Sequence, residues 1–148
     1  MSRRIAIASD HAAFAMKAEL ANWLHEAGHE VLDLGTNGPE SVDYPDYGFA
    51  LGKAIEDGRA EIGVALCGSG IGISIAVNRV LGARCALVSE PLSASLARQH
   101  NDANVIAMGA RLIGSEMAKA CAQAFLDTEF LGDRHQRRVD KLSKGATA

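Results

Sequence analysis

The sequence predicts an α/β fold, with a parallel sheet of five strands covered by helices on both faces. Short apolar runs rich in β-branched residues alternate with longer stretches whose apolar residues recur at helical spacing, a pattern typical of such folds. The composition, 48% hydrophobic and 22% charged, is that of a globular protein. A length of 148 residues suits a single domain with one sizeable core, so residues 1–148 are expected to form one unit.

The elements alternate regularly along the chain. The predicted strands are residues 4–9, 30–34, 61–66, 83–88 and 105–108. The predicted helices are residues 12–27, 46–57, 73–79, 91–100, 115–126 and 133–144. Residues 35–45 are rich in turn formers and are expected to form an exposed loop. The last helix is too charged to pack fully on its own domain and is expected to reach a partner subunit, with disorder only from Gly145 onward.

Charge and cysteine content exclude several classes of protein. With 18 acidic and 15 basic residues, the net charge of -3 gives no positive field that would attract nucleic acid or a membrane surface. The start of the chain resembles neither a signal peptide nor a membrane span, so the protein is expected to stay in the cytoplasm. Cys67, Cys85 and Cys121 lack the CxxC pairing of zinc or redox sites, which suits a reducing compartment.

Chemically reactive residues follow the predicted strands. Asp10 and His11 follow the first strand, Cys67 follows the third, and His100 and Asn101 lie near the fourth crossover. Ligands of open parallel sheets bind at the carboxyl ends of the strands, so these residues are expected to converge on one rim.

Cys67 opens a glycine-rich turn before a helix. Backbone dipoles there are expected to lower the pKa of the thiol and to favour a thiolate that acts as nucleophile or base. A cysteine phosphatase would need arginine where Ile73 stands, which disfavours that reading. The alternative is a buried cysteine that serves as a small apolar residue, and it suits Cys85 and Cys121 better.

The glycines at 68, 70 and 72 allow N–H groups to turn inward, where they would stabilise an anion or a developing oxyanion. Their GxGxG spacing does not match a dinucleotide fingerprint, and the turn lacks the lysine of a nucleotide P-loop. A purely structural turn remains the alternative.

Two further pairs of residues carry possible roles. His11 and His100 lie at element ends, which favours ligand contact, although either could be a cap or a solvated residue. Arg134 and Arg138 share a helical face and could grip a phosphate, or they could simply form a solvated basic helix end.

Five segments carry a resemblance to a known family. They are SDHAAFAMK, DYPDY, CGSGIGISIAVN, SEPLSASLARQHNDANVIAMGAR and GDRHQRRV. In these segments the chain resembles the type B ribose-5-phosphate isomerases, which form one family with galactose-6-phosphate isomerase subunits, and the resemblance covers residues 4–142. It implies a Rossmann-like three-layer sandwich and a homodimer, in some members paired into a tetramer, with active sites shared between subunits. It also implies interconversion of ribose 5-phosphate and ribulose 5-phosphate without a metal or organic cofactor.

The resemblance also implies roles for individual residues. Cys67 matches the base that moves a proton between C1 and C2 through a cis-enediolate, and His100 matches the residue that opens the sugar ring, with Asp10 nearby. Ser69 stands where many members carry Thr and keeps a hydroxyl for proton relay. The residues that match the anion hole are Gly68, Ser69, Gly70, Ile71, Gly72 and Ser74. Those that match other substrate contacts are Tyr44 and Asn101 at the sugar and His11, Arg111, Arg134 and Arg138 at the phosphate.

Two rival functions stay open from the sequence. The first is isomerisation of a six-carbon aldose 6-phosphate of the allose or galactose type. The second is a sugar-phosphate sensor without catalysis, against which the presence of Cys67, His100 and Asp10 argues.

Overall fold

Five parallel strands form one sheet in the order β2-β1-β3-β5-β4 in the computed structural model, which describes residues 2–146. The strands are β1 Arg4–Ser9, β2 Glu30–Asp33, β3 Ile62–Cys67, β4 Cys85–Leu87 and β5 Val105–Gly109. In the centre of the sheet Ile7 pairs with Val64 and Val64 pairs with Ile106. The predicted five-stranded parallel sheet is confirmed.

Six helices cover both faces of the sheet. They are α1 Phe14–Glu26, α2 Tyr44–Glu56, α3 Ile71–Asn78, α4 Pro91–Asn101, α5 Ser115–Asp127 and α6 Arg134–Lys144. A short 3-10 helix, His11–Ala13, precedes α1. This α/β three-layer arrangement confirms the expected Rossmann-like sandwich.

The core divides into two apolar clusters because successive strand residues point to opposite faces. One cluster contains Ile7, Val64 and Leu66 and packs against α1, α4 and α5. The other contains smaller strand residues, including Ala8 and Ala65, and packs against α2 and α3. Cys67 ends β3 on this second face, so its side chain lies on the α2 and α3 side of the sheet.

Three predicted boundaries were wrong. Helix α2 begins at Tyr44 rather than at residue 46, since Pro45 fits the first turn of a helix, where no N–H donor is required. Helix α3 begins at Ile71 rather than at residue 73 because the turn is complete at Gly70. Strand β4 is limited to Cys85–Leu87 and is shorter than predicted, as is common at a sheet edge.

Helix α6 packs on α4 of its own chain through two buried side chains, His135 and Val139. Most of its other residues are exposed, so contact with a partner subunit stays a prediction. The disorder expected from Gly145 onward falls in part on residues 147 and 148, which lie outside the described residues. Within residues 2–146, no helix has both the length and the apolar character needed to cross a membrane.

A buried lysine ties α1 to the loop after β2. Lys17 is only 1% exposed, and its Nζ donates to both carboxylate oxygens of Asp33 at 2.8 and 2.7 Å and to Asn37 Oδ1 at 2.8 Å. These three acceptors use all three donors of the ammonium group. Asp33 Oδ1 also accepts the N–H of Gly35 at 2.9 Å, so the lysine indirectly orders this loop.

Replacing Lys17 with methionine should destabilise the fold by about 2 kcal/mol, the usual cost of losing buried hydrogen bonds to a charged group. Lys53→Met is the matched control, because Lys53 also bonds a carboxylate, that of Glu56, but at the surface. Its loss should cost much less, because solvent screens an exposed pair. Urea denaturation measures both values, and equal losses would contradict a structural role for the buried pair.

Candidate active site

A cavity of about 400 Å³ opens at the carboxyl ends of the central strands. Strand β2 pairs with β1 on one side and β3 pairs with β1 on the other side. The direction in which strands are added to the sheet therefore reverses at β1. Ligands of open α/β sheets bind in the crevice at such a switch point. The lining residues are Asp10, His11, Ala12, Tyr44, Cys67, Gly68, Ser69, Gly72, Arg111 and Leu112.

The sulfur of Cys67 accepts a hydrogen bond from the turn that follows it. Cys67 is 5% exposed, and the N–H of Gly70 points at its Sγ from 3.1 Å. Gly70 adopts a left-handed conformation, with φ of 78°, which favours glycine and brings this N–H back towards the strand end. The turn thus directs a hydrogen-bond donor at the sulfur and fixes the position of the side chain.

Further N–H groups of the turn are available to a ligand. Those of Gly68 and Ser69 donate to no protein acceptor among residues 2–146. The N–H of Ile71 donates to Ser69 Oγ at 3.2 Å, so the serine caps α3 while its own proton stays available. The beginning of α3 lies directly behind the turn and adds its partial positive charge. This arrangement can hold an anion or an oxyanion.

Asp10 and His11 form the opposite wall of the cavity. The N–H of Asp10 donates to the carbonyl of Leu66 at 3.2 Å, and one carboxylate oxygen of Asp10 accepts the N–H of Ala12 at 3.0 Å. His11 Nδ1 accepts the N–H of Val42 at 3.1 Å. In a neutral imidazole ring with this contact, the proton lies on Nε2. His11 can therefore donate a hydrogen bond to an anion in the cavity.

Tyr44 and Arg111 complete the lining. The ring of Tyr44 packs so closely on Gly72 that a Cβ at Gly72 would lie 2.7 Å from it. The N–H of Arg111 donates to the carbonyl of Gly68 at 2.9 Å, and its guanidinium lies over that glycine. Within residues 2–146 the Arg111 guanidinium pairs with no acidic side chain, so its charge is available to a phosphate.

Seven residues predicted for the site do not line this cavity in their own chain, and four of them lie on a different part of the surface. His100 stacks on His135 of α6, and Asn101 lines a separate groove of about 370 Å³. Arg134 and Arg138 are exposed on α6 and pair with no acidic residue in the described part of the chain. The residues proposed for the site therefore fall into two groups on different parts of the surface.

The glycine turn also differs from its predicted role in detail. Gly68, Ser69 and Gly72 line the cavity, whereas Gly70 acts through the sulfur of Cys67. The side chain of Ile71 is exposed beside a neighbouring groove. Ser74 does not line the cavity, because its hydroxyl donates to the carbonyl of Ile71 at 2.7 Å within α3.

Sequence reasoning missed three residues at or near the site. Ala12 and Leu112 line the cavity, and Gly109 lies beneath Ser69. No local pattern identifies Gly109, because the residues that it contacts lie far away in sequence. Within residues 2–146, no group of three or more His, Cys, Asp or Glu side chains is arranged to hold a metal ion.

Comparison with known proteins gives consistent matches. The model of the ribose/galactose isomerase family matches residues 5–142. Ribose-5-phosphate isomerase B of Escherichia coli (strain K12) is 44% identical over 141 residues, covering 95% of each chain. D-erythrulose-4-phosphate isomerase of Pectobacterium atrosepticum is 42% identical over 139 residues, covering 93% of this chain and 91% of its own.

A solved structure extends these matches to three dimensions. The crystal structure of a ribose 5-phosphate isomerase B from Thermotoga maritima has a TM-score of 0.93 and 48% sequence identity, and the match covers 96% of this chain and 98% of that one. The family match and the shared fold thus both extend along nearly the whole chain, and we conclude that the protein is an isomerase that belongs to the ribose/galactose isomerase family.

Proposed function

We propose that this isomerase interconverts ribose 5-phosphate and ribulose 5-phosphate. The observation that supports the proposal most directly is the hydrogen bond from the Gly70 N–H to the Cys67 sulfur, beside two N–H groups that have no acceptor among the described residues. A base next to oxyanion donors is what proton transfer between adjacent carbons requires. The names of the Escherichia coli and Thermotoga maritima relatives favour a five-carbon substrate.

The proposed reaction proceeds on the open-chain sugar. The Cys67 thiolate takes the proton from C2, and the electrons move onto O1 to form a cis-enediolate. The thiol returns the proton to C1, while the proton of the C2 hydroxyl passes to O1 by way of the Ser69 hydroxyl. These reaction steps need no metal or organic cofactor. The cytoplasmic location of the protein stays a prediction.

Most of the barrier to this reaction comes from the charge on the enediolate oxygens. One preorganised N–H donor is typically worth about 3 kcal/mol to such a charge, and the turn offers two donors, from Gly68 and Ser69. A positioned general base contributes a further factor of about 10² to 10⁴. The turn and the thiol therefore supply complementary parts of the rate enhancement.

The substrate phosphate binds at the cavity entrance in this proposal. His11 offers its Nε2–H and Arg111 offers an unpaired guanidinium, both on the lining of the cavity. Neither group reacts. Their binding energy holds C1 and C2 over the thiolate, which raises the rate by orientation.

We propose further that the active form is a homodimer whose subunits share their active sites. Two large apolar side chains stand exposed beside the cavity, Leu112 at 68% and Ile71 at 51%. Such patches mark interaction surfaces. A twofold dimer that buried them would bring α4 and α6 of each chain to the cavity of the other, and His100, Asn101, Arg134 and Arg138 would complete each site. Pairing of two dimers into a tetramer stays a prediction.

The test of this function is ketose formation from ribose 5-phosphate, followed in a coupled assay for ribulose 5-phosphate. Cys67→Ala should lose at least about 10³-fold in kcat, because it removes the group proposed as the base on C2. Cys121→Ala is the control and should keep its activity, since Cys121 is buried in α5 away from the cavity. Turnover by Cys67→Ala at the wild-type rate would refute the assignment.

The same assay decides between the proposed substrate and its rivals. Erythrose 4-phosphate is a specific alternative because one relative is named D-erythrulose-4-phosphate isomerase. Allose 6-phosphate and galactose 6-phosphate represent the six-carbon alternative. A higher kcat/KM on any of these than on ribose 5-phosphate would replace the proposed substrate. Binding of sugar phosphates without any ketose formation would indicate a sensor.

Gly109 supports the catalytic turn by having no side chain. A Cβ at this position would lie 2.6 Å from the backbone carbonyl carbon and oxygen of Ser69. These backbone atoms cannot move away from the Cβ unless the whole turn moves with them. Gly109→Ala should therefore displace the turn from Cys67 to Gly70. A displacement of about 1 Å at a catalytic group typically costs about 100-fold in rate.

We accordingly expect Gly109→Ala to reduce kcat/KM on ribose 5-phosphate by about 100-fold while the protein stays folded by circular dichroism. Gly114→Ala is the matched control, since nothing lies within 4 Å of a Cβ at that position and its φ of -87° suits any residue. Equal activities of the two variants would show that the turn does not need the space beneath it.

A further inference from the structure

Two histidines stack at the contact between α4 and α6. The imidazole rings of His100 and His135 lie with their centroids 4.5 Å apart and their planes within 17°. His135 is 7% exposed, and its Nε2 is buried without a hydrogen-bond partner in the described residues. The ring of His135 therefore meets His100 through its flat face and not through its Nε2.

The surroundings of His135 disfavour a charge on its ring. Burial, and then the nearby charges of Arg134, His100 and Arg138, lower the pKa of His135, while Asp133 opposes this shift. Arg134, Arg138 and Asp133 lie on or next to α6, and His100 faces His135 from α4. The lowered pKa suits close stacking, because two charged rings at this separation would repel each other.

We propose that His135 is a positioning residue, which holds the imidazole of His100 in place for opening of the sugar ring. This inference rests on the ring-opening role of His100 within the proposed function. The imidazole of His100 takes the proton from the anomeric hydroxyl O1. It returns that proton to the ring oxygen O4 as the C1–O4 bond breaks and the C1=O1 double bond forms, so the step needs no other reactant.

The stacked ring removes rotational freedom from His100, whose imidazole would otherwise sample several rotamers before reaching the anomeric hydroxyl. An aromatic residue without nitrogens would provide the same restraint, whereas an aliphatic residue would provide packing without a flat face.

The test compares His135→Leu with His135→Phe in the full-length protein. Leucine fills the buried volume without a ring, and phenylalanine keeps a face for stacking. The kcat and KM on ribose 5-phosphate are measured for both variants and the wild type, with thermal unfolding as the check on folding. Erythrose 4-phosphate serves as the second substrate, because its O4 carries the phosphate and it cannot close a five-membered ring.

We expect His135→Leu to lose at least about tenfold in kcat/KM on ribose 5-phosphate, since a His100 ring that is free to turn reaches the anomeric hydroxyl less often. On erythrose 4-phosphate it should stay within about threefold of the wild type, as should His135→Phe on both substrates.

Equal losses on the two substrates, or equal losses for leucine and phenylalanine, would overturn the inference, because each indicates a packing role only. Failure of the proposed function itself is distinct, since the wild type would then form no ribulose 5-phosphate.

Discussion

The hydrogen bond from the Gly70 N–H to the Cys67 sulfur links the fold of this protein to its chemistry. Strand β3 delivers the cysteine to the switch point of the sheet, and the left-handed turn at Gly70 directs an N–H back at the thiol. Among residues 2–146, the same turn leaves the N–H groups of Gly68 and Ser69 without protein acceptors. One local conformation thus positions the sulfur and presents the donors that an enediolate anion requires.

Hydrogen bonds from a neighbouring segment hold the turn in place, in addition to the contacts within the turn. The carbonyls of Cys67 and Gly68 accept the N–H groups of Ala110 and Arg111, each at 2.9 Å, which fastens the turn to the end of β5. At the end of β1, the N–H of Ser9 donates to the carbonyl of Gly35 at 2.8 Å, and the carbonyl of Ser9 accepts the N–H of Thr36 at 2.9 Å. Those two residues belong to the loop that Lys17 orders through Asp33 and Asn37.

The candidate residues of one chain form two separate groups. The cavity group contains the thiol, the N–H donors, His11 and Arg111, and the group on α4 and α6 contains a stacked histidine pair and two exposed arginines. Within residues 2–146 these two arginines have no acidic partner, and the cavity has exposed apolar neighbours, so a second copy of the chain could complement both groups. This complementarity is the physical basis of the proposed dimer.

Much of this architecture could be predicted from the sequence. Alternating short apolar runs and helical patterns indicated the five parallel strands, and inspection of the strand ends identified Asp10, His11 and Cys67, all of which line the cavity. The missed features depend on contacts between distant segments. Gly109 leaves space for the backbone of Ser69, and the ring of His135 stacks on that of His100. Ser74 does not line the cavity in this chain because its hydroxyl bonds within its own helix, a contact that spacing alone does not reveal.

The central claim is that each active site takes residues from two chains, and complementation tests it most directly. A Cys67→Ala chain and a chain carrying both Arg134→Ala and Arg138→Ala, each inactive alone, are unfolded together in equal amounts and refolded. Half of the dimers should then be mixed, with one intact site in two, which predicts about a quarter of the wild-type activity for ketose formation from ribose 5-phosphate. A mixture no more active than the two variants measured separately would contradict the shared site.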